Sequence, residues 1–391
     1  MSDLKLKNFD NVISQIKRCA KEGGKVVIYS DSDMDGIVSA LIMAEIFRYL
    51  NDCYLNPEFL KFYFPCRETE KYGLNDEALD YLCGFAPALL FTLDCGISNF
   101  DEIVRAKKMG FQVIVIDHHQ ILGRLPDALY VIDPHQEGEE YPFHDFANAG
   151  LMVKLAEEIV KDEKRLNELL AFGALATIAD RVPQIGENKE ITEKGLAWLK
   201  DIDRLGFRTL LRHTEPDLSS LDDISLKIIN PLNVSARIGK VSQTFILLDS
   251  KDPAECEEIV KNLLEINKRK FEEKIKIVND VVSRIEKYKK FPPDFIFEGS
   301  TEWDPVSIGS AASDILKKYG RPVFLFKVRE NDSIGSARLP KEYNGVKALE
   351  FSKDYLIGYG GHPPACGYTF RNRDVNLVKE SLEKYFRKIY E

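Results

Sequence analysis

The chain has 391 residues, 44% of them hydrophobic and 30% charged, and a formal net charge of −9. That balance reads as ordinary globular protein, long enough for two or three domains with real cores, rather than a disordered chain. The acidic surplus counts against a broad basic surface that coats duplex nucleic acid, while a narrow groove lined by a few Arg and Lys stays compatible with it.

The opening stretch MSDLKLKNFDNVISQIKRC has neither a sustained apolar run nor a small-residue cleavage site. The apolar run at 85–91 is far too short to span a bilayer, so a cytoplasmic enzyme without a membrane partner is expected. An odd count of seven cysteines without a CxxC pair predicts reduced thiols and disfavours thiolate-held zinc; Cys95 and Cys366 read as small fillers. Plentiful Lys and Glu lean towards a heat-loving source.

Residues 25–29 form a short β-branched run, and 37–50 follow with apolar residues at helical spacing. Further strands are predicted at 88–93, 113–116 and 130–132, with a charged helix at 100–109. Strands this apolar, separated by helices, indicate a parallel sheet covered on both faces. Residues 149–170 read as helical, as does the apolar run 171–179, which delivers Asp180 at its end. A long charged helix is predicted over 253–290, broken by Phe291-Pro292-Pro293. A smaller α/β domain follows, with a strand near 324–326, a glycine-rich segment at 358–367 and a last helix at 374–390.

Four features carry chemistry. Asp31-Ser32-Asp33-Met34-Asp35-Gly36 places carboxylates two apart between a strand and a helix, where they repel unless paired. Read alone it is equally an acidic turn with a helix cap; an EF-hand is a poor alternative, since its later oxygen ligands are absent. Asp94 ends the 88–93 strand before a tight turn, and Asp117-His118-His119 ends the 113–116 strand. Ligands bind beyond the carboxyl ends of such strands, so these distant residues can meet at one edge. Asp180 is the fourth feature. Carboxylates with one or two imidazoles suit Mn²⁺ or Mg²⁺. A carboxylate bridging two such ions ~3.5–4 Å apart fits in-line displacement at phosphorus.

These residues resemble the motifs of the DHH phosphoesterase superfamily, and within it the RecJ-like single-strand exonucleases of compact archaeal type. The resemblance implies a two-lobed α/β architecture: a parallel-sheet catalytic domain over 1–250, a helical connector over 251–290 and a DHHA1-like substrate-binding domain over 291–391. It implies two Mn²⁺, with Mg²⁺ or Co²⁺ as alternatives. Asp33 and Asp94 would hold one ion with Asp31 beside them; Asp35, Asp94, His118 and Asp180 would hold the other, Asp94 bridging. His119 would contact the scissile phosphate and Asp117 would orient the histidines. Asp31 is characteristic of RecJ-type enzymes, where small-substrate relatives carry His.

Asn233-Val234-Ser235-Ala236-Arg237 resembles a loop that usually reads NAAGR, from which Asn233 and Arg237 would grip the sugar-phosphate backbone. Pro142-Phe143 and Gly150 resemble the segment after the third motif, with Asn148 in place of a small residue. In the C-terminal lobe Arg338, Gly361 and His362 would bind substrate across the cleft from the metals. The bacterial enzymes' extra oligonucleotide-binding barrel has no counterpart here, which leans the expected polarity towards 3′→5′. The expected substrate is single-stranded DNA, with RNA as a second polymer and a replication or repair helicase as the protein partner. Competing readings are an oligoribonuclease or dinucleotide phosphodiesterase, a 5′→3′ RecJ exonuclease, and an inactive replication scaffold.

Overall fold

The computed structural model describes residues 4–67, 69–121, 123–234, 236–287 and 294–390, without the side chains of residues 362 and 388–390. The chain divides into two compact units, Met1–Leu264 and Glu265–Glu391. The division falls inside a helix, Pro253–Lys287.

The first unit is built on β1 (Val26–Ser30), β2 (Leu60–Tyr63), β3 (Ala88–Leu93), β4 (Phe111–Ile116) and β5 (Tyr130–Ile132). They lie in the order β2-β1-β3-β4-β5, and every neighbouring pair is parallel. All residues of β1 and β3 are buried, as their unbroken apolar sequences require of strands covered on both faces. The covering helices include α1 (Phe9–Glu22), α2 (Met34–Leu50), α3 (Asp76–Leu82), α4 (Phe100–Lys108), α5 (Asn148–Ile159) and α6 (Glu163–Asp180). On one face Val27, Leu90, Val113 and Val115 pack with Leu79 and Leu82 of α3 and Ile103 of α4. On the other, the almost wholly buried α2 packs against α5 and α6. Because β2 lies on one side of β1 and β3 on the other, the chain changes direction between β1 and β3. That is where an open α/β sheet offers its ligand crevice.

Two elements differ from the sequence expectation. The edge strand β2 goes unread in a short mixed segment, Leu60-Lys61-Phe62-Tyr63. The continuous helix expected over 149–170 is broken: α5 stops at Ile159, and the Asp162 side chain accepts the Arg165 N–H at 2.9 Å to cap α6. A small hairpin, β6 (Arg237–Ile238) with β7 (Val241–Ser242), lies near the end of this unit.

The second unit carries β8 (Ile296–Ser300), β9 (Val323–Val328), β10 (Asp332–Arg338), β11 (Gly358–His362) and β12 (Ala365–Arg371) in the order β11-β12-β10-β9-β8. Only β8 and β9 are parallel; the other pairings are antiparallel. Its core is aromatic, with Phe324, Phe326, Tyr368, Phe370 and Phe386 in one cluster. Gly361 has φ 125, and a Cβ there would come within 2.5 Å of Ala365 O, so the hairpin turn requires glycine. The break expected at Phe291-Pro292-Pro293 lies outside the described residues. Among those described, no helix is long and apolar enough to cross a membrane.

Candidate active site

Asp31, Asp94 and Asp117 each follow directly on a strand, β1, β3 and β4 respectively, and all three are buried. The ladder continues into them: Asp31 N donates to Leu93 O at 3.2 Å, Asp94 N to Ile116 O at 3.0 Å, and Asp117 N to Ile132 O at 3.0 Å. Asp33 is the N-cap of α2, accepting the Gly36 N–H at 3.1 Å, and Asp35 sits in the first turn of the same helix. Asp180 closes α6. Helix start, helix end and strand ends therefore meet at one sheet edge.

Three groupings result. One ligand atom from each of Asp35, His118 and Asp180 lies within 4.8 Å of the others. The same holds for Asp31, Asp33 and Asp94, and for Asp94, His118 and His119. Asp94 is shared between groupings. Its backbone is left-handed, φ 57, a conformation that Asp tolerates better than most side chains. Asp35 is aimed by α5: its two carboxylate oxygens accept the Asn148 and Ala149 N–H groups at 2.7 and 2.8 Å.

Electrostatics divide these carboxylates. Burial, then the neighbouring Asp180 and Asp33, push Asp35 well above the usual carboxylate range. Burial, then Asp35 and Asp33, do the same to Asp94. Neither is ion-paired to a lysine or arginine among the described residues. Asp33 is different: burial would raise it, but the Arg67 guanidinium and the Gly36 N–H outweigh that and hold it low. Burial keeps Asp31 raised even beside Arg67.

The two adjacent histidines also differ. Asp117 accepts the His119 Nδ1 hydrogen at 2.7 Å and the His118 and His119 backbone N–H groups at 2.8 and 3.2 Å, while its other oxygen takes Ile97 N–H at 3.1 Å. Burial works against a charged His119, yet Asp117 raises its pKa to about 9, so the ring is cationic at neutral pH. Its Nε2 then donates to Tyr72 Oη at 3.3 Å, and the Tyr72 hydroxyl donates to Asp94 O at 3.2 Å. His118 is held neutral by burial and by the His119 charge. Its Nε2 lies 3.2 Å from Asp94 and 3.7 Å from Asp35 and Asp180, is buried, and makes no hydrogen bond. A buried imidazole lone pair facing several carboxylates fits a hard divalent cation better than any protein donor present.

Sequence reasoning gave four residues no role in the site. Arg67 Nε donates to Asp31 Oδ1 at 3.0 Å and its Nη2 to Asp31 Oδ2 at 2.5 Å, with Asp33 at 3.0 Å. Tyr72 comes from the same connection between β2 and α3, which offers no periodic signal; only Arg and Tyr close behind a proline hint at it. Asn148 is buried behind Asp94; with its amide oxygen and nitrogen exchanged, the orientation its surroundings favour, the oxygen accepts the Asp94 N–H and the nitrogen donates to Ile116 O, both at 3.0 Å. Asp133 follows β5, a strand end like the others; its Oδ2 is buried without a partner, and burial raises its pKa to about 8.

The remaining expected residues are placed as follows. Asn233 Oδ1 accepts the Met34 N–H at 2.9 Å, supporting the first turn of α2. Arg237 Nη1 donates to Phe64 O at 2.8 Å and to Glu70 at 3.0 Å, tying the β2–α3 connection in place. Both engage the chain itself. Arg338 ends β10, its Nη1 donating to Ser336 Oγ and Ala337 O, each at 2.8 Å. Gly361 lies in β11, and the His362 side chain lies outside the described residues. These last three belong to the second unit.

Residues 25–177 match the DHH family, N-terminal domain, and residues 288–389 match the DHHA1 domain. The chain belongs to the DHH superfamily. This DHH protein is 30% identical over 383 residues to the single-stranded-DNA-specific exonuclease RecJ of Bacillus subtilis, a similarity covering 97% of this chain and 48% of that one. It thus spans about half the length of that curated relative. A crystal structure of exonuclease RecJ bound to manganese shares its fold with a TM-score of 0.78 and 25% identity, covering 99% of this chain and 96% of that chain. RecJ of Thermus thermophilus in complex with Mn²⁺ shares the fold with a TM-score of 0.81 and 24% identity, over 99% of this chain and 56% of that chain. The likeness is RecJ-like through both units of the DHH protein.

Proposed function

We propose that this DHH protein is a Mn²⁺-dependent exonuclease that hydrolyses phosphodiester bonds of single-stranded DNA. The observation that carries the reading is the unpartnered, buried Nε2 of His118 among Asp35, Asp94 and Asp180. In this reading residues 1–250 hold the hydrolytic site, 251–290 connect, and 291–391 bind substrate. Asp35, Asp94, His118 and Asp180 would hold one ion, and Asp31, Asp33 and Asp94 would hold a second; Mg²⁺ or Co²⁺ are alternatives.

Bound there, such ions supply Lewis acidity, a more acidic water and neutralisation of charge on phosphate oxygens. The protein's own groups do the rest. Asn148 and Ala149 N–H fix both oxygens of Asp35, so that carboxylate cannot rotate away. Asp117 keeps the His119 proton on Nδ1 and stabilises the imidazolium, whose Nε2–H, held by Tyr72 Oη, would pass to a phosphate oxygen of bound substrate. Tyr72 holds that ring in place through the hydroxyl that also meets Asp94 O. Asn233 and Arg237 serve as positioning residues, because their hydrogen bonds go to α2 and the β2–α3 connection. Contact with the sugar-phosphate backbone falls to Arg338, Gly361 and His362.

The polarity carried forward from the sequence is 3′→5′, to be set against the 5′→3′ direction, with RNA as a second polymer and a helicase as partner. The test incubates the protein and Mn²⁺ with single-stranded DNA and RNA labelled separately at each end. Progressive shortening of the 5′-labelled strand, with immediate mononucleotide release from the 3′-labelled one, establishes 3′→5′ action. The converse pattern reverses the polarity, and absence of metal-dependent cleavage of either polymer overturns the exonuclease reading.

A further inference from the structure

The groupings on either side of Asp94 meet different counter-charges. Among the described residues, Asp35 accepts two backbone N–H groups, Asp94 lies beside the His118 imidazole, and neither forms an ion pair with a lysine or arginine. Asp31 and Asp33 already have a cation. The Arg67 guanidinium forks onto both oxygens of Asp31 and reaches Asp33 Oδ2 with the same nitrogen. Those oxygens are the donors a divalent ion needs in that grouping, and a guanidinium and a dication cannot share them without repulsion.

The geometry leaves Arg67 somewhere to go. Its side chain is 42% exposed, and it borders a 290 Å³ recess lined by Asp31, Pro65, Glu70, Lys71 and Tyr72. The backbone around it is fastened: Tyr29 Oη donates to Gly73 O at 2.6 Å, Tyr63 Oη to Glu70 at 2.8 Å, and Arg237 to Phe64 O at 2.8 Å. The guanidinium can therefore leave by side-chain rotation while its loop stays put.

We propose that Arg67 is an internal counter-cation competing with a divalent ion for Asp31 and Asp33. The Asp35–His118–Asp180 grouping loads first, and the Asp31–Asp33 grouping loads only as the guanidinium withdraws. The inference rests on the metal-centre reading above. It makes Arg67 the residue that sets the order of metal loading, and it keeps the acidic pair neutralised whenever the second ion is absent.

Calorimetric titration of the full chain with Mn²⁺ tests this, comparing wild type, Arg67→Met and Arg67→Lys. Wild type should bind in a tight and a weak step. In Arg67→Met the weak step should tighten roughly tenfold, within the usual span of coupling between two binding sites, while the tight step stays. Arg67→Lys, which keeps the charge but not the fork, should fall between. Electron paramagnetic resonance gives an independent readout: spin-coupled Mn²⁺ pairs should appear in Arg67→Met at metal loadings where wild type shows only uncoupled Mn²⁺. Two ions in wild type with an unchanged or weakened second step in Arg67→Met overturns the inference alone. Absence of Mn²⁺ binding in all three proteins overturns the metal-centre reading and the inference with it.

Discussion

The two units use their sheets in opposite ways. In the first, an all-parallel sheet ends in buried carboxylates that cannot satisfy one another, and every metal-sized cluster found among the described residues lies there. In the second, a mostly antiparallel sheet is filled by aromatic rings, and its expected substrate residues sit on a strand end and a glycine hairpin. One unit stores electrostatic tension, which a bound cation relieves; the other offers shape and a guanidinium. Buried unsatisfied charge is destabilising in itself, so its concentration at one edge marks where binding energy is meant to enter.

That contrast can be broken by experiment. The largest effect is expected for Asp94→Asn, which weakens the carboxylate shared between groupings: nucleotide release should fall by roughly a thousandfold, the scale of losing a principal electrostatic contact. Turnover within tenfold of wild type would remove Asp94 from the centre. Phe324→Ala, in the aromatic core of the second unit, should lower stability by about 3–5 kcal/mol in chemical denaturation. The tightest Mn²⁺ step in calorimetry should not move, and a shift there would show that the second unit shapes the metal centre. Asp117→Asn keeps the shape but loses the charge that holds His119 cationic, and activity should drop about 10–100-fold, as for other supporting partners of metal sites.

The last prediction concerns Asp133. Its folded pKa, about 8, lies above the unfolded value, so the native state holds a proton that the unfolded chain releases. Its contribution is present at acid pH and is lost as pH rises towards about 8. Asp133→Asn imitates the protonated carboxyl. Its melting temperature should therefore gain on wild type as pH is raised through that window and level off beyond it; a constant difference would mean that Asp133 is already ionised in the fold.

How much of this is legible in sequence follows from what each residue needs. Asp31, Asp94 and Asp117 announce themselves because each directly follows an apolar strand, and Asp180 because it ends an apolar helix. Arg67 and Tyr72 sit in an aperiodic connection after a strand that is itself hard to read, and their partners are 36 and 47 positions away. Asn148 looks like a misfit in sequence, yet its carboxamide fills the space behind Asp94 and answers that residue's N–H. For Asn233 and Arg237 the sequence suggests phosphate contact, and the structure adds a role that sequence does not show: Asn233 supports the first turn of α2 and Arg237 holds the β2–α3 connection.

The left-handed backbone at Asp94 has one more consequence. A side chain there works against the conformation, by less for Asp than the roughly 1–2 kcal/mol of other residues, and its carboxylate adds repulsion with Asp35 and Asp33. Glycine at this position relaxes both. A variant library sorted only for heat endurance would therefore enrich Asp94→Gly and discard the chemistry, so any search for sturdier versions of this protein has to select for turnover in the same step.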